Sequence, residues 1–206
     1  MRPRQRTKKQ SVQQERTVVI IKPDGVKRGL TGEIIRRIEQ RGLKVIALNM
    51  IWATKQQMDG HYSRDRDYII NLGENTLRTY TQYEPETDIK AEYGTVDPHK
   101  IGLRVRQWLV EFMSSGPVIK MIVEGIHAID MVRKLVGKTI PAYAEMGTIR
   151  GDYSIDSPLL ANRHQRALRN IVHASGTPEE AAHEIEHWFA PEEVYDYKRA
   201  EEDIMF

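Results

Sequence analysis

Residues 17–25 read Thr17-Val18-Val19-Ile20-Ile21-Lys22-Pro23-Asp24-Gly25. The β-branched run predicts a buried strand, and the Pro-Asp-Gly turn chemistry after Lys22 ends it. Outward from this strand the hydrophobic period changes repeatedly. Residues 32–41 place Ile34, Ile35 and Ile38 at helical spacing and stop at Gly42, and 44–52 (Lys-Val-Ile-Ala-Leu-Asn-Met-Ile-Trp) predict a second strand. Val105, Trp108, Leu109, Phe112 and Met113 space a helix over 105–113, which Ser115-Gly116-Pro117 closes before a strand over 118–123. Ile129, Val132 and Val136 predict a helix over 127–136. Thr177-Pro178-Glu179-Glu180 combines an N-cap, a proline at the first helical position and a capping-box glutamate. The helix it opens carries Ala181, Ile185, Trp188 and Phe189 on its apolar side. With a short strand before that last helix, the order predicts an α+β protein with one face of helices covering a small sheet. This is a ferredoxin-like βαββαβ sandwich, with an antiparallel sheet. Residues 63–104 are polar and tyrosine-rich (Tyr68, Tyr80, Tyr83, Tyr93) and read as an insertion with too few apolar residues for its own core.

The 206 residues suffice for one substantial core. A hydrophobic fraction of 40% and a charged fraction of 29% fit a globular chain and not a disordered one. No apolar run approaches the roughly 18 residues of a membrane span, and no apolar stretch follows the basic N-terminus, so the chain is expected in the cytoplasm. The absence of cysteine excludes disulfides, thiolate catalysis and cysteine-ligated metal. Residues 1–16 hold six basic side chains against one acidic, Glu15. Residues 1–15 are therefore expected to form a disordered basic arm, with nucleic acid as a candidate partner, and 16–206 the folded domain.

His173 sits in Arg169-Asn170-Ile171-Val172-His173-Ala174-Ser175, downstream of Gly147-Thr148-Ile149-Arg150-Gly151-Asp152. A neutral imidazole among phosphate-compatible groups can carry a phosphoryl group, a reaction that asks mainly for positioning and positive charge. Lys22, Arg133 and Arg150 are candidates for that charge, and Thr139 for a hydroxyl donor. His61, His99, His127, His164, His183 and His187 fall in polar surroundings or on helical faces and are expected at the surface or at caps. His183-Glu184-Ile185-Glu186-His187 matches the H-E-x-x-H zinc-hydrolase pattern, although no third ligand follows except acidic residues such as Glu192. Gly137-Lys138-Thr139 resembles the end of a P-loop, but Val132 stands where its first glycine belongs and a helix precedes it.

The segments Glu15–Leu30, Gly32-Glu33-Ile34-Ile35, Ser115-Gly116-Pro117-Val118, Gly147–Asp152, Asn170–Ser175 and Glu186–Glu193 together resemble nucleoside diphosphate kinases. The resemblance implies that His173 takes the γ-phosphate of a nucleoside triphosphate, mainly ATP, and passes it to a nucleoside diphosphate in a ping-pong cycle. It implies that Glu184 orients the imidazole, that Arg133, Thr139 and Arg150 bind phosphate, and that Lys22 and Asn170 contact the ribose hydroxyls. In the same way it places Lys22 near the transferring phosphate, Tyr62 beside the lysine and histidine, and Ser175 just after the nucleophile. It implies Mg2+ bridging the nucleotide phosphates with no dedicated protein ligand set, and a homo-oligomer, commonly a hexamer. Three departures stand out. The chain is longer between Arg150 and Asn170, a second insertion at about 154–166. Ala167-Leu168-Arg169 replaces Val-Gly-Arg on the apolar side of the nucleobase clamp, whose other side is assigned to Tyr68. Gly176 replaces an acidic residue. These changes bear on base selectivity more than on transfer. His173→Ala is expected to abolish turnover, and His61→Ala or His99→Ala to leave most of it. The alternative reading is a catalytically weak, family-derived scaffold or nucleic-acid-binding protein that works through the basic arm.

Overall fold

The computed structural model describes residues 14–200 and 202–205, so most of the basic arm lies outside it. Gln14 and Glu15, assigned to the arm, instead begin the first strand. That strand, β1 (Gln14–Ile21), sits inside a four-stranded sheet with β2 (Lys44–Trp52), β3 (Pro117–Ile126) and β4 (Val172–Ala174), in the order β2-β3-β1-β4. Every pairing is antiparallel: β1 with β3 from Gln14↔Ile126 to Ile21↔Ile119, β1 with β4 through Ile20↔His173, and β2 with β3 past an irregularity between Val45 and Ala47.

Alternation along β1 divides the core. Val19 and Ile21 face one cluster with Ile34 and Ile38 of α2 (Thr31–Gln40) and Val132 and Val136 of α7 (Ala128–Val136). Val18 and Ile20 face the other with Met58 of α3 (Lys55–His61), Met113 of α6 (Pro98–Met113) and Trp188 of α10 (Pro178–Trp188). Side chains two apart share a face of a strand, so a run of β-branched residues with none exposed needs cover on both sides. This corrects the expectation of helices on one face only: the sheet is covered on both.

The helix ends follow the chemistry of their residues, with one revision. Thr177 accepts the Glu180 N–H and Pro178 occupies the first turn of α10. The Glu180 carboxylate, however, takes the N–H of Gly176 at 2.6 Å rather than that of Thr177. Gly60 within α3 is a requirement of packing, because a Cβ there would sit 2.4 Å from the His187 ring; the glycine lets α10 lie against α3.

The tyrosine-rich segment is helical: α4 (Arg66–Tyr83), α5 (Ile89–Tyr93) and the first turns of α6. It does build a small core, by borrowing from α6. Tyr80, Tyr93 and Ile101 are buried with Leu77, Ile89, Val105 and Trp108 around them. The second longer stretch holds α9 (Pro158–Arg163), after the short helix α8 (Ile149–Tyr153), which matches in length α1 (Pro23–Lys27) earlier in the chain. Among the described residues no helix is long and apolar enough to cross a membrane.

Candidate active site

A cleft of about 570 Å³ opens where β1, β4, α7, α8, α10 and the α4–α6 hairpin meet. Lys22, Tyr62, Tyr68, Arg133, Thr139, Arg150, Asn170, His173 and Glu184 all line it, so the structure gathers every site residue expected from the sequence except Ser175. Ser175 is fully buried behind the cleft, where its Oγ donates to Glu184 Oε2 at 2.7 Å and accepts the Val18 N–H at 3.1 Å. It touches the reacting region only through Glu184, a correction to its place among catalytic groups.

His173 projects from β4 with its side chain 18% exposed. Glu184 Oε1 lies 2.7 Å from its Nε2, within ion-pair range but poorly directed, so that Nε2 has no hydrogen-bond partner. The short distance is the more informative of the two, since a small rotation of either side chain aligns them. Burial, with Lys22 next in weight, pushes the imidazole below its ordinary range despite the opposing effect of Glu180. The ring is therefore neutral at neutral pH, as a nucleophile requires. Burial holds the Glu184 carboxyl up, partly offset by His61 and the Ser175 hydroxyl.

Two cations of the cleft wall, Lys22 and Arg150, are buried, whereas Arg133 is exposed. Lys22 Nζ donates to Asn170 Oδ1 at 2.7 Å, and Asn170 Nδ2 donates to the Thr139 carbonyl at 2.9 Å. Desolvation, followed by the Arg150 charge, pulls Lys22 down to about 8. Arg150 donates to three carbonyls, those of Asn170 (3.2 Å), Gly137 (2.9 Å) and Val172 (2.7 Å). It clamps the end of α7 to the entry of β4 while its guanidinium faces the cleft. Its helix is anchored on α2 through Arg37–Asp152 at 2.7 Å.

Between Asn170 and Val172 the backbone is strained. Ile171 has φ 70, and the Val172 N–H reaches the Asn170 carbonyl at 2.7 Å, the pattern of a γ-turn of the rare hand. A β-branched residue at such a φ is a true outlier, costing of the order of 1–3 kcal/mol. Asp24 Oδ2 accepts the Ile171 N–H at 3.0 Å and the Lys22 N–H donates to the Ile171 carbonyl at 2.8 Å. These bonds tie the turn to the residues that follow β1 and set Asn170 and His173 on the same cleft.

His61 overturns the expectation of a surface or cap histidine. Its side chain is only 2% exposed, its Nδ1 lies 3.4 Å from Glu184 Oε1, and its ring meets that of His173 edge-on at 4.7 Å. The Trp188 indole N–H donates to Nδ1 at 3.3 Å, while Nε2 is buried without a partner. Burial, then the neighbouring His173, lowers its basicity, so this ring too is neutral. The local sequence around His61 is polar; the usable signal was Gly60, the residue that lets α10 press onto α3. We now expect His61→Ala to cut turnover about tenfold, the cost of leaving a buried partner unmet, and steady-state assay of the folded variant checks this.

His183 and His187 do not form a zinc site. Glu184 points to His173, and His187 Nε2 lies 2.8 Å from the Gln57 carbonyl. Among the described residues, the group of three able to hold a metal is His61, His173 and Glu184. Gly137-Lys138-Thr139 follows helix α7 rather than a strand, and Lys138 pairs with Glu145 at 2.6 Å on the surface. Leu168 and Leu72, which carried no assigned role, line the cleft together with Tyr68.

A sequence model of the family described as nucleoside diphosphate kinase matches residues 15–70 and 99–194. The nucleoside diphosphate kinase of Pyrobaculum aerophilum is 46% identical over 180 residues, 87% of this chain and 97% of that protein. Nucleoside diphosphate kinase B of Mus musculus is 34% identical over 194 residues, 93% and 97% of the two chains. The crystal structure of the NDP kinase from Pyrobaculum aerophilum superposes with a TM-score of 0.85 at 43% identity, covering 89% of this chain and 100% of that one. A transition-state mimic of the Borrelia burgdorferi nucleoside-diphosphate kinase with bound vanadate and ADP gives a TM-score of 0.73 at 33% identity, covering 92% and 95%. The sheet order, the gathered site and these likenesses agree: the chain belongs to the nucleoside diphosphate kinase family, a family of phosphotransferases.

Proposed function

We propose that this cleft transfers the γ-phosphate of a nucleoside triphosphate to a nucleoside diphosphate through a phosphate carried on His173. The observation that carries the reading is a neutral imidazole, 2.7 Å from a buried carboxylate on one nitrogen, facing a wall of Lys22, Arg133 and Arg150. Glu184 occupies Nε2 and leaves Nδ1 as the nucleophile. Nδ1 forms a bond to the γ-phosphorus as the bond to the β–γ bridging oxygen breaks, and the diphosphate departs. An acceptor's terminal β-phosphate oxygen then displaces the imidazole, breaking the N–P bond and restoring the free ring. The buried Lys22 and Arg150, with the exposed Arg133 beside them, stabilise charge on the equatorial oxygens, and the buried pair acts most strongly because water is excluded around it. Asn170 and Lys22 reach the ribose hydroxyls, and Tyr68 and Leu168 flank the base. The last assignment gives Leu168 the apolar side of the clamp.

Mg2+ suits this donor set when the nucleotide carries it. The cleft presents cations and no oxygen cage, and magnesium keeps water and phosphate oxygens as ligands. When bound it would neutralise charge on the nucleotide's phosphate groups, with Lys22, Arg133 and Arg150 holding the nucleotide that carries it. Self-association is supported by the edge strand β2, which exposes Leu48 (45%), Met50 (61%) and Trp52 (66%); we propose a homo-oligomer, with a hexamer favoured. A reducing cytoplasm is the compartment that fits the cysteine-free chain.

Initial rates measured with ATP and a second nucleoside diphosphate both varied should give parallel double-reciprocal lines. Intersecting lines would require a ternary complex and rule out the phosphohistidine route. Lys22 adds a pH dependence. Its ammonium is charged below about 8 and loses its proton as the pH rises through that value, so kcat/KM, which reports the free enzyme, should fall on the alkaline side. Lys22→Arg should remove this fall, because arginine keeps its charge throughout the range; an unchanged alkaline limb would assign it to another group.

A further inference from the structure

We propose that the first inserted segment is locked to the second and to the turn after Thr139, forming a brace that fixes the width of the nucleotide cleft at its base end, with Tyr83, Tyr93, Tyr143 and Asn162 as positioning residues. The inference rests on reading the cleft as the nucleotide site.

The base end of the cleft has two walls. Tyr68 and Leu72 come from the first half of α4 and Leu109 from α6, whereas Thr139, Leu168 and Asn170 come from the opposite side. The two helices of the α4–α6 hairpin move together, because they meet at backbone contact. A Cβ on Gly73 would lie 1.9 Å from the Pro98 carbonyl oxygen, and one on Gly102 would lie 1.9 Å from that of Ile69. The outer half of the hairpin packs on its own small cluster and not on either sheet core. The inner half is fixed on the sheet through Tyr68, Val110 and Met113, so it is the outer half, from Leu72 onward, that can bend away unless something ties its far end.

Two contacts do so. The Tyr93 hydroxyl, buried beside Tyr80, donates to Asn162 Oδ1 of α9 at 2.6 Å. The Tyr83 ring at the end of α4 stacks on Tyr143 at 4.2 Å between centroids and 19° between planes. Both anchor points lead back to the opposite wall. Tyr143 closes the 3-10 turn Pro141–Tyr143, just after Thr139. The α9 segment is held by Asp156, which takes two hydrogen bonds from Arg166 (2.6 and 2.9 Å) and one from the Arg169 N–H (2.7 Å), directly beside Leu168 and Asn170. The Asp156 carbonyl also accepts the Ala142 N–H at 3.2 Å. Widening the cleft at Leu72 therefore means breaking the Tyr93–Asn162 hydrogen bond and the Tyr83–Tyr143 ring stack at the far end of the hairpin. The segment 71–98, unmatched by the family's sequence model, supplies one half of the brace; Asn162 of the lengthened stretch before Asn170 and Tyr143 of the turn just after Thr139 supply the other. The consequence is a cleft held ready before nucleotide arrives, so that little binding energy goes into closing it.

The test uses the full-length chain with Tyr83→Ala, Tyr93→Phe and the double variant. Tyr83 is 40% exposed and Tyr93→Phe keeps the ring, so both should fold. If loss of both ties lowers the binding-competent fraction to about a tenth, the ADP dissociation constant and the KM for acceptor rise about tenfold. With kcat within about twofold of wild type, this is the pattern of lost uniform binding. Tyr83→Phe, which preserves the stack, should restore the wild-type KM. Amide hydrogen exchange over residues 66–72 should quicken in the ligand-free double variant and slow again with ADP. A lowered melting temperature with unchanged KM and unchanged exchange would overturn the brace and leave these contacts as fold stability alone. Wild-type protein that neither binds ADP nor transfers phosphate would instead remove the nucleotide reading itself, and the brace with it.

Discussion

His173→Ala protein is expected to fold and to show phosphate transfer at background level in both directions. The side chain projects from β4 into the cleft and is partly exposed, so its removal disturbs little packing, whereas the covalent route has no other acceptor for the phosphoryl group. His61 cannot substitute: its Nδ1 takes the Trp188 indole hydrogen bond and its Nε2 is buried. His99→Ala, at a half-buried position, and His164→Ala, at an exposed one, both outside the cleft lining, should keep wild-type turnover under the same assay. Equal losses in all three would mean that the assay reports folding, and the assignment of the nucleophile would fail.

Arg150→Ala should cost nearly as much, for a double reason. In the proposed reaction the guanidinium faces the transferring phosphate, and a preorganised donor of this kind is worth about 10²–10³ in rate. It also holds the carbonyls of Gly137, Asn170 and Val172, and each charge-assisted hydrogen bond contributes about 1.5–3 kcal/mol. Both half-reactions should slow by at least about a hundredfold, and the melting temperature should drop. Arg150→Lys separates the two effects. A lysine keeps a point charge but cannot span three acceptors in a planar fork, so part of the rate should return without the lost stability. An Arg150→Ala enzyme with unchanged half-reaction rates would remove this residue from the site.

The elements legible in the sequence are those whose patterns are local. The Val18–Ile21 run, the strand 44–52 and the Thr177-Pro178 helix start rest on neighbouring residues, and they fold as read. The residues of the cleft were legible through a family likeness, because Lys22, Arg150 and His173 are brought together by sheet order and not by spacing. What the sequence hid depends on contacts between distant elements. His61 is buried because α10 crosses α3 at Gly60. The strain at Ile171 exists because Asp24 and Lys22 hold it from the other end of β1. The second helical layer follows from a run buried on both faces. In 63–104 the caps were present: Asp65, Asp88 and Asp97 each accept backbone N–H groups at a helix start. Polar, tyrosine-rich helices nevertheless lack the apolar stripe that marks a helix, since much of their burial is of tyrosine rings against a neighbouring helix.

The central claim is that phosphate passes through His173, and a two-step transfer tests it most directly. Purified protein is incubated with γ-labelled ATP and magnesium, freed of nucleotide, and then given GDP. The account predicts acid-labile label on wild-type protein, none on His173→Ala, and discharge of that label as GTP. Label absent from folded wild-type protein, or present on His173→Ala, would contradict it.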